Sequence, residues 1–321
     1  MASACLSLSD VAKANTVFCP TPLLTVTIEA RPDGQPELHI HAGGQGFWVA
    51  RMVARLGVQV TLCAPFGGDT GRLLKTLIAD ENVAAVGVAM SGGNGAYVHD
   101  RRSTQRVEIC RFDGAKLNRH EEDDLYNATF AAAMNSQLLV LTGQYPVTVV
   151  PATVYRRLAR DLRANGRRVL ADLSGEDLRE ALQGGIELLC FSHRELVEEG
   201  YAAGEGLQEL VAGLDGLQRG GAEQIILHRG AEPTIVRLDG RLSEVIAPRV
   251  TPLDERGGGD TFLAALAVGL LLQEESLEQT IRFAAAAGTL NVTRHGLGTG
   301  RLEDIVALSQ HVLMRPLARP E

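Results

Sequence analysis

The stretch Arg256-Gly257-Gly258-Gly259-Asp260-Thr261-Phe262 sets a carboxylate directly after three glycines and directly before an apolar run that extends to Leu272. The first N–H groups of a helix have no internal partner and carry the positive end of its dipole. Glycines just ahead of them let the backbone close on an anion, so the N–H groups of Gly257, Gly258 and Gly259 can converge on phosphate oxygens. A carboxylate beside that site would repel a resting phosphate. Its useful chemistry there is to take a proton from a hydroxyl that attacks the phosphate. The same residues also suit a tight turn with Asp260 as a plain helix cap, and this stretch alone leaves both readings open.

A second cluster, Gly43, Gly44 and Gly46, precedes a helical pattern that carries Val49, Met52, Val53 and Leu56. Two glycine-rich helix starts far apart in the chain suit a site where two ligands meet, whereas a close helix–strand crossing would explain either one singly. There is no GxxxxGK[ST] loop and no GxGxxG in a βαβ context, so a dinucleotide-dependent oxidoreductase is a distant alternative.

The elements that position these residues alternate along the chain. ANTVFC (14–19), VQVTLCAPF (58–66), QLLVLTG (137–143), RRVLADLS (167–174), IELLCFS (186–192) and EQIILHRG (223–230) read as short buried strands. Helical patterns separate them: 47–56, 71–80, 154–164 and 195–217, with the chain from Gly259 onward mostly helical. Such alternation implies a parallel sheet covered on both faces. Two segments break the rule. Residues 23–41 and 96–112 show period-two patterns with charged residues and read as antiparallel strands with one wet face, a small lid on a single domain spanning 1–321.

Bulk properties bound the partners. With 31 basic and 39 acidic residues the net charge is −8, which argues against nucleic acid. The longest apolar run, Phe262 to Leu272, is too short to span a bilayer and reads as a buried helix. The scattered cysteines (Cys5, Cys19, Cys63, Cys110, Cys190) form no CxxC pair, and the N-terminus shows no secretory pattern, so a reduced, cytoplasmic protein with no membrane partner is expected.

These residues resemble a known family, the PfkB group of ribokinase-like carbohydrate kinases. Its C-terminal signature, typically DTxGAGDTF, is similar to DERGGGDTF (254–262), and its GGKGxNVARxLARLG signature to GGQGFWVARMVARLG (43–57). GGDTG (67–71), DLSGE (172–176), SHREL (192–196), HRGAEP (228–233) and HGLGTG (295–300) follow in family order. The resemblance implies an α/β fold with three α/β/α layers, a central mostly parallel sheet and a β-sheet lid. It implies transfer of the ATP γ-phosphate to a hydroxyl of a small sugar-like acceptor, with Asp260 as base and the backbone of Gly257–Gly259 as anion hole. Glu195 would match the acid that holds Mg²⁺ through water, with Ser192 where many members have Asn, and no side chain binds the metal directly. Gly230 and the segment near His295 would border the adenine, Asp254 would match a monovalent-cation position in some members, and the lid would pair two subunits into a homodimer.

The acceptor side departs from the pattern. Beside Gly43 and Gly44, the family Lys is Gln45 and the following Asn is Trp48. An expected Asp near the first lid strand is replaced at about Leu24, and an expected Arg by Asn94. A pocket built this way should prefer a neutral or partly apolar acceptor over fructose 1- or 6-phosphate, unless Arg101, Arg102 and Arg106 of the second lid segment turn inward. The competing class is a non-catalytic nucleotide- or metabolite-binding protein on the same fold, against which the intact Asp260 counts.

Overall fold

A computed structural model describes residues 14–103, 106–145, 148–254, 256–272, 276–294 and 296–318. The N-terminal half runs β1 (Ala14–Phe18), β2 (Leu23–Ala30), β3 (Pro36–Gly43), α1 (Gln45–Arg55), β4 (Gln59–Phe66), α2 (Gly68–Asp80), β5 (Ala84–Ala89), β6 (Ala96–Asp100), β7 (Val107–Phe112), α3 (Arg119–Met134) and β8 (Leu138–Thr142). It continues through α4 (Thr153–Ala164), β9 (Arg168–Asp172), α5 (Gly175–Gly184), β10 (Ile186–Ser192), α6 (His193–Glu198), α7 (Leu207–Gly220), β11 (Ala222–Arg229), β12 (Glu232–Leu238) and β13 (Arg241–Ile246). The chain closes with α8 (Gly258–Leu272), α9 (Leu277–Asn291), α10 (Leu302–Ser309) and β14 (Leu313–Pro316).

The large sheet has the order β14-β13-β12-β11-β10-β9-β8-β1-β4-β5. Neighbours from β11 to β5 are parallel. Each strand sends alternate residues to two separate cores. Val17, Leu62, Val140 and Leu170 pack with α1, α8 and α9 on one face, while Phe18, Leu139, Leu141 and Ala171 pack with α3, α4 and α5 on the other. That alternation makes three layers. α8 is buried on nearly every side, as the apolar run from Phe262 implies.

The structure corrects the sequence reading in three places. Strands β12, β13 and β14 add an antiparallel edge to the expected parallel sheet. Its cue was Asp239-Gly240, both at positive φ (48° and 78°) between paired Leu238 and Arg241, a two-residue hairpin turn. The helical segment 195–217 divides into α6 and α7, because Gly200 at φ 77° takes the left-handed conformation that ends a helix. In the lid, ordered β3-β2-β6-β7, the central β2–β6 pair is parallel rather than antiparallel, since the chain crosses the large sheet between them.

The faces of the lid are also the reverse of a surface sheet. Thr25, Thr27, His41, Tyr97 and His99 point to the protein and line a cavity, while Leu38, Ile40, Val107, Ile109 and Phe112 lie exposed. Among the described residues no helix is long and apolar enough to cross a membrane.

Candidate active site

A cavity of about 1080 Å³ lies between the lid and the carboxyl ends of the parallel strands. Ligands of open α/β sheets bind at that edge, because the loops there face helix N-termini. Among the carboxylates that line it, three stand at strand or helix ends of different elements: Asp172 at the end of β9, Glu195 in the first turn of α6 and Asp260 in the first turn of α8. Among the described residues none of the three makes an ion pair with Lys or Arg. Enclosure by protein holds the Asp260 carboxyl up to about 6. Asp172 is pushed well above the usual carboxylate range, first by burial and then by the charges of Asp260 and Glu195. Asp177, also on the cavity wall, is raised to about 6 by burial, with Gln144 Nε2 donating to both its oxygens at 3.1 Å.

The three glycines before Asp260 have different reasons. Gly257 has φ 71°, and a β-carbon there would sit 2.7 Å from Leu297 Cδ2. A β-carbon on Gly258 would be 3.3 Å from Val292 Cγ1, whereas at Gly259 the nearest atom is Asp172 Oδ2 at 3.9 Å. Gly259 therefore leaves space rather than avoiding a clash. The Thr261 N–H bonds back to Gly257 O at 3.0 Å, so the N–H groups of Gly258, Gly259 and Asp260 precede the helical ladder and are the orphan donors of α8. This cradle fits a phosphate group. Asn291, which sequence reasoning missed, fixes it: Asn291 Oδ1 accepts from Thr261 Oγ1 and the Gly298 N–H, both at 3.0 Å, and Asn291 Nδ2 donates to Arg256 O at 2.9 Å.

The second glycine cluster is a close crossing as well as a cavity wall. β-Carbons at Gly43, Gly44 and Gly46 would each meet a neighbour at 2.5 Å, on Thr25, Thr21 and Cys19 respectively. Gly44 and Gln45 line the cavity, as does Trp48. The Trp48 ring covers the Arg51 guanidinium at 4.6 Å and lies 5.9 Å from the His41 ring. Arg51 is buried and paired with Glu81 at 3.1 Å.

Other expected positions fall elsewhere. Leu24 packs into the core; β2 instead turns Leu23, Thr25, Thr27 and Glu29 to the cavity. Asn94 is buried outside the cavity, with its amide spent on backbone: Oδ1 accepts from Gly67 N–H and Nδ2 donates to Pro65 O, both at 2.9 Å. Gly230 sits in the β11–β12 hairpin at φ 64°, off the cavity wall. Ser192 caps α6, and Glu195 Oε2 accepts from the Ser192 backbone N–H at 3.1 Å and from its hydroxyl at 2.6 Å, so Glu195 both closes this capping box and faces the cavity. Asp254 reaches the cavity too, but its carboxylate is held by Arg101 at 3.3 Å and Arg256 at 2.7 Å. A carboxylate between two guanidinium groups does not fit a monovalent cation. His295 lies outside the described residues.

The lid supplies two histidines that the sequence did not single out. His41 and His99 are each lowered to about 4, first by burial, and the arginines around them hold both neutral; neither ring nitrogen of His99 has a partner. Arg101 and Arg106 line the cavity, whereas Arg102 turns outward to Asp100 at 2.6 Å.

Comparison with known proteins identifies the family of the chain. The model of the pfkB family of carbohydrate kinases matches residues 22–304. The chain is similar to the ATP-dependent 6-phosphofructokinase isozyme 2 of Escherichia coli (strain K12), 28% identical over 288 residues that cover 85% of this chain and 89% of that protein. It is also similar to the 1-phosphofructokinase of Vibrio cholerae, 25% identical over 278 residues and 87% of each. The crystal structure of phosphofructokinase-2 from Escherichia coli in complex with potassium superposes with a TM-score of 0.78 at 24% identity, covering 94% of this chain and 99% of that one. By its fold and by most of its length, this chain belongs to the pfkB family of carbohydrate kinases, enzymes that phosphorylate a sugar hydroxyl.

Proposed function

We propose that this protein transfers the γ-phosphate of ATP to a hydroxyl of a sugar phosphate held under the lid, with Asp260 as general base. The observation that carries the reading is the placement of Asp260: in the first turn of α8, beside the Gly257–Gly259 cradle, its carboxyl raised to about 6 and open to the cavity. A base poised just below neutral is ionised in the cell yet basic enough to accept a hydroxyl proton as the bond to phosphorus forms. A passive helix cap explains neither the burial nor the two facing carboxylates.

In this scheme the N–H groups that begin α8 hold the transferring phosphoryl oxygens, and Asp260 draws the proton from the acceptor hydroxyl. ATP supplies the phosphoryl group and Mg²⁺ arriving with it offsets the phosphate charge. Glu195 acts on that ion's water shell, a role that suits a residue whose other carboxylate oxygen is tied to Ser192. Among the described residues no cluster of three or more metal-ligating side chains occurs.

The acceptor end favours an anionic sugar over the neutral one that Gln45 and Asn94 suggest. Asn94 is off the cavity, and the cations come from the lid. Arg101 is shared with Asp254 and Glu29, while Arg106 makes no ion pair among the described residues and lines the same cavity as Thr25, Tyr97 and His99. The exposed apolar face behind it, with Leu38, Ile40, Ile109 and Phe112, suits a homodimer that stacks two lids. The free cysteines Cys19, Cys63, Cys110 and Cys190 suit a reducing, cytoplasmic setting. Steady-state kinetics with ATP–Mg²⁺ against fructose 1-phosphate, fructose 6-phosphate, tagatose 6-phosphate and the unphosphorylated sugars tests the reading. A kcat/KM of about 10⁴ M⁻¹s⁻¹ or more for one phosphosugar is expected; ATP binding with no transfer to any of them would favour the non-catalytic alternative.

A further inference from the structure

Asp254 lines the cavity at the turn that leads through Arg256 into Gly257 and the phosphate cradle. Only 9% of its side chain is exposed, so its charge needs partners within the protein. Both oxygens have them. Oδ1 accepts the Arg256 backbone N–H at 3.2 Å and Arg256 Nε at 2.9 Å. Oδ2 accepts Arg256 Nη2 at 2.7 Å and Arg101 Nη2 at 3.3 Å. A carboxylate offers about four acceptor positions, and these four donors use them all. One guanidinium belongs to the turn and grips the acid as a two-pronged fork. The other comes from the lid, just past β6, where the Arg101 backbone N–H donates to Ile28 O of β2 at 2.8 Å. Glu29, the other acid near Arg101, stands farther off at 4.0 Å. The turn is fixed from behind as well: the Asp254 N–H donates to Val292 O at 3.2 Å and Asn291 Nδ2 to Arg256 O at 2.9 Å.

A monovalent cation at Asp254 would need a carboxylate oxygen with a free lone pair, and it would stand against two guanidinium groups that never lose their charge. We propose that Arg101 and Arg256 take the place of such a cation: the chain itself brings the positive charge to the turn before α8, and phosphoryl transfer needs no potassium or other monovalent ion. This rests on the kinase reading of the cavity. Asp254 and its two guanidinium groups together keep a net positive charge next to the N–H groups that begin α8, where that reading puts phosphate oxygens. Because Arg101 comes from the lid, the same contact ties the lid to the turn, which a diffusible ion would not do. Both arginines are positioning residues that act through the turn.

The test compares wild type in potassium, sodium and tetramethylammonium chloride at one ionic strength, with ATP–Mg²⁺ and a phosphosugar. Screening is then equal, and kcat/KM should agree within about twofold among the three salts. A saturable rise of about tenfold or more in potassium would overturn the proposal. Thermal unfolding midpoints in the same salts give a second readout, since an ion held by the folded protein raises the midpoint by mass action. No potassium-specific rise is expected, and a saturable one would overturn the proposal. This arm needs no turnover: absence of transfer in every salt would fail the kinase reading, and the midpoints would still decide whether the arginines exclude the ion. Arg101→Ala with Arg256→Ala leaves Asp254 without a counter-ion, so kcat/KM in tetramethylammonium should fall about tenfold or more and recover in part only with potassium. Full activity of this double variant in tetramethylammonium would overturn the proposal. So would a loss that potassium does not touch, because the arginines would then merely hold the turn. If the double variant does not fold, Arg256→Ala alone, at a side chain 44% exposed, gives the same comparison.

Discussion

Asp172 Oδ2 lies 3.9 Å from the point where a β-carbon would stand on Gly259, so the acid at the end of β9 looks directly onto the backbone that leads into Asp260. The two carboxylates share one end of the cavity, and the charge of Asp260 is among the causes that raise Asp172. Two half-buried acids so placed do not ionise together easily: one keeps its proton while the other is free to act.

A pH dependence follows. Asp260 must be ionised to accept a proton, and its carboxyl is raised to about 6, so kcat/KM should climb through about pH 6 and level off above it. The stability effect has the opposite sign. A carboxyl raised in the fold binds its proton more tightly than in the unfolded chain, so its contribution is present below about pH 4 and lost as pH rises through about 6. A pH–rate profile with its acid limb near 4, the ordinary range of an exposed Asp, would contradict the burial argument.

The lid cations make a separate prediction. Removing one charge-assisted contact costs about 1.5–3 kcal/mol, so Arg106→Ala should raise the KM for a phosphosugar by about tenfold or more and leave kcat within a few-fold. Turnover of the corresponding unphosphorylated sugar should not change. Equal effects on both substrates would show that Arg106 shapes the lid rather than reading a phosphate.

The outer lid face gives a third. Ile40 and Leu38 are 45% and 58% exposed on adjacent positions of one apolar surface. Placing a lysine at Ile40 should leave the core untouched and shift the protein from dimer to monomer in light scattering, because a charge buried in a small interface lacks a partner. A wild-type monomer at working concentration would remove the lid as the pairing surface.

The sequence made the large elements legible because their signals are local. Strand–helix alternation gives the parallel sheet, and the unbroken apolar run after Asp260 gives a helix buried on all sides. Glycines ahead of that helix are also a local signal for a phosphate cradle. What escaped depends on distant chain segments. Asp172 begins the DLSGE stretch, but its spacing gives no sign of Asp260, and only folding sets the two together. Asn291 matters because it ties the 256–261 turn to Gly298, a partnership that no spacing announces. On β2 the choice between Leu24 and Thr25 is a question of which face meets the cavity, and a one-residue error inverts the chemistry. Asn94 stands where a substrate contact is expected, yet its amide satisfies Gly67 and Pro65 instead.

The most direct measurement of the central claim is single-turnover phosphoryl transfer by Asp260→Asn, alongside its ATP affinity. Asparagine keeps the shape of the turn and cannot accept the hydroxyl proton. The account predicts transfer slowed by about 10² or more, the usual scale for loss of a general base, with ATP bound about as tightly because the cradle is main chain. Transfer at near wild-type rate would contradict it and leave Asp260 as the cap of α8.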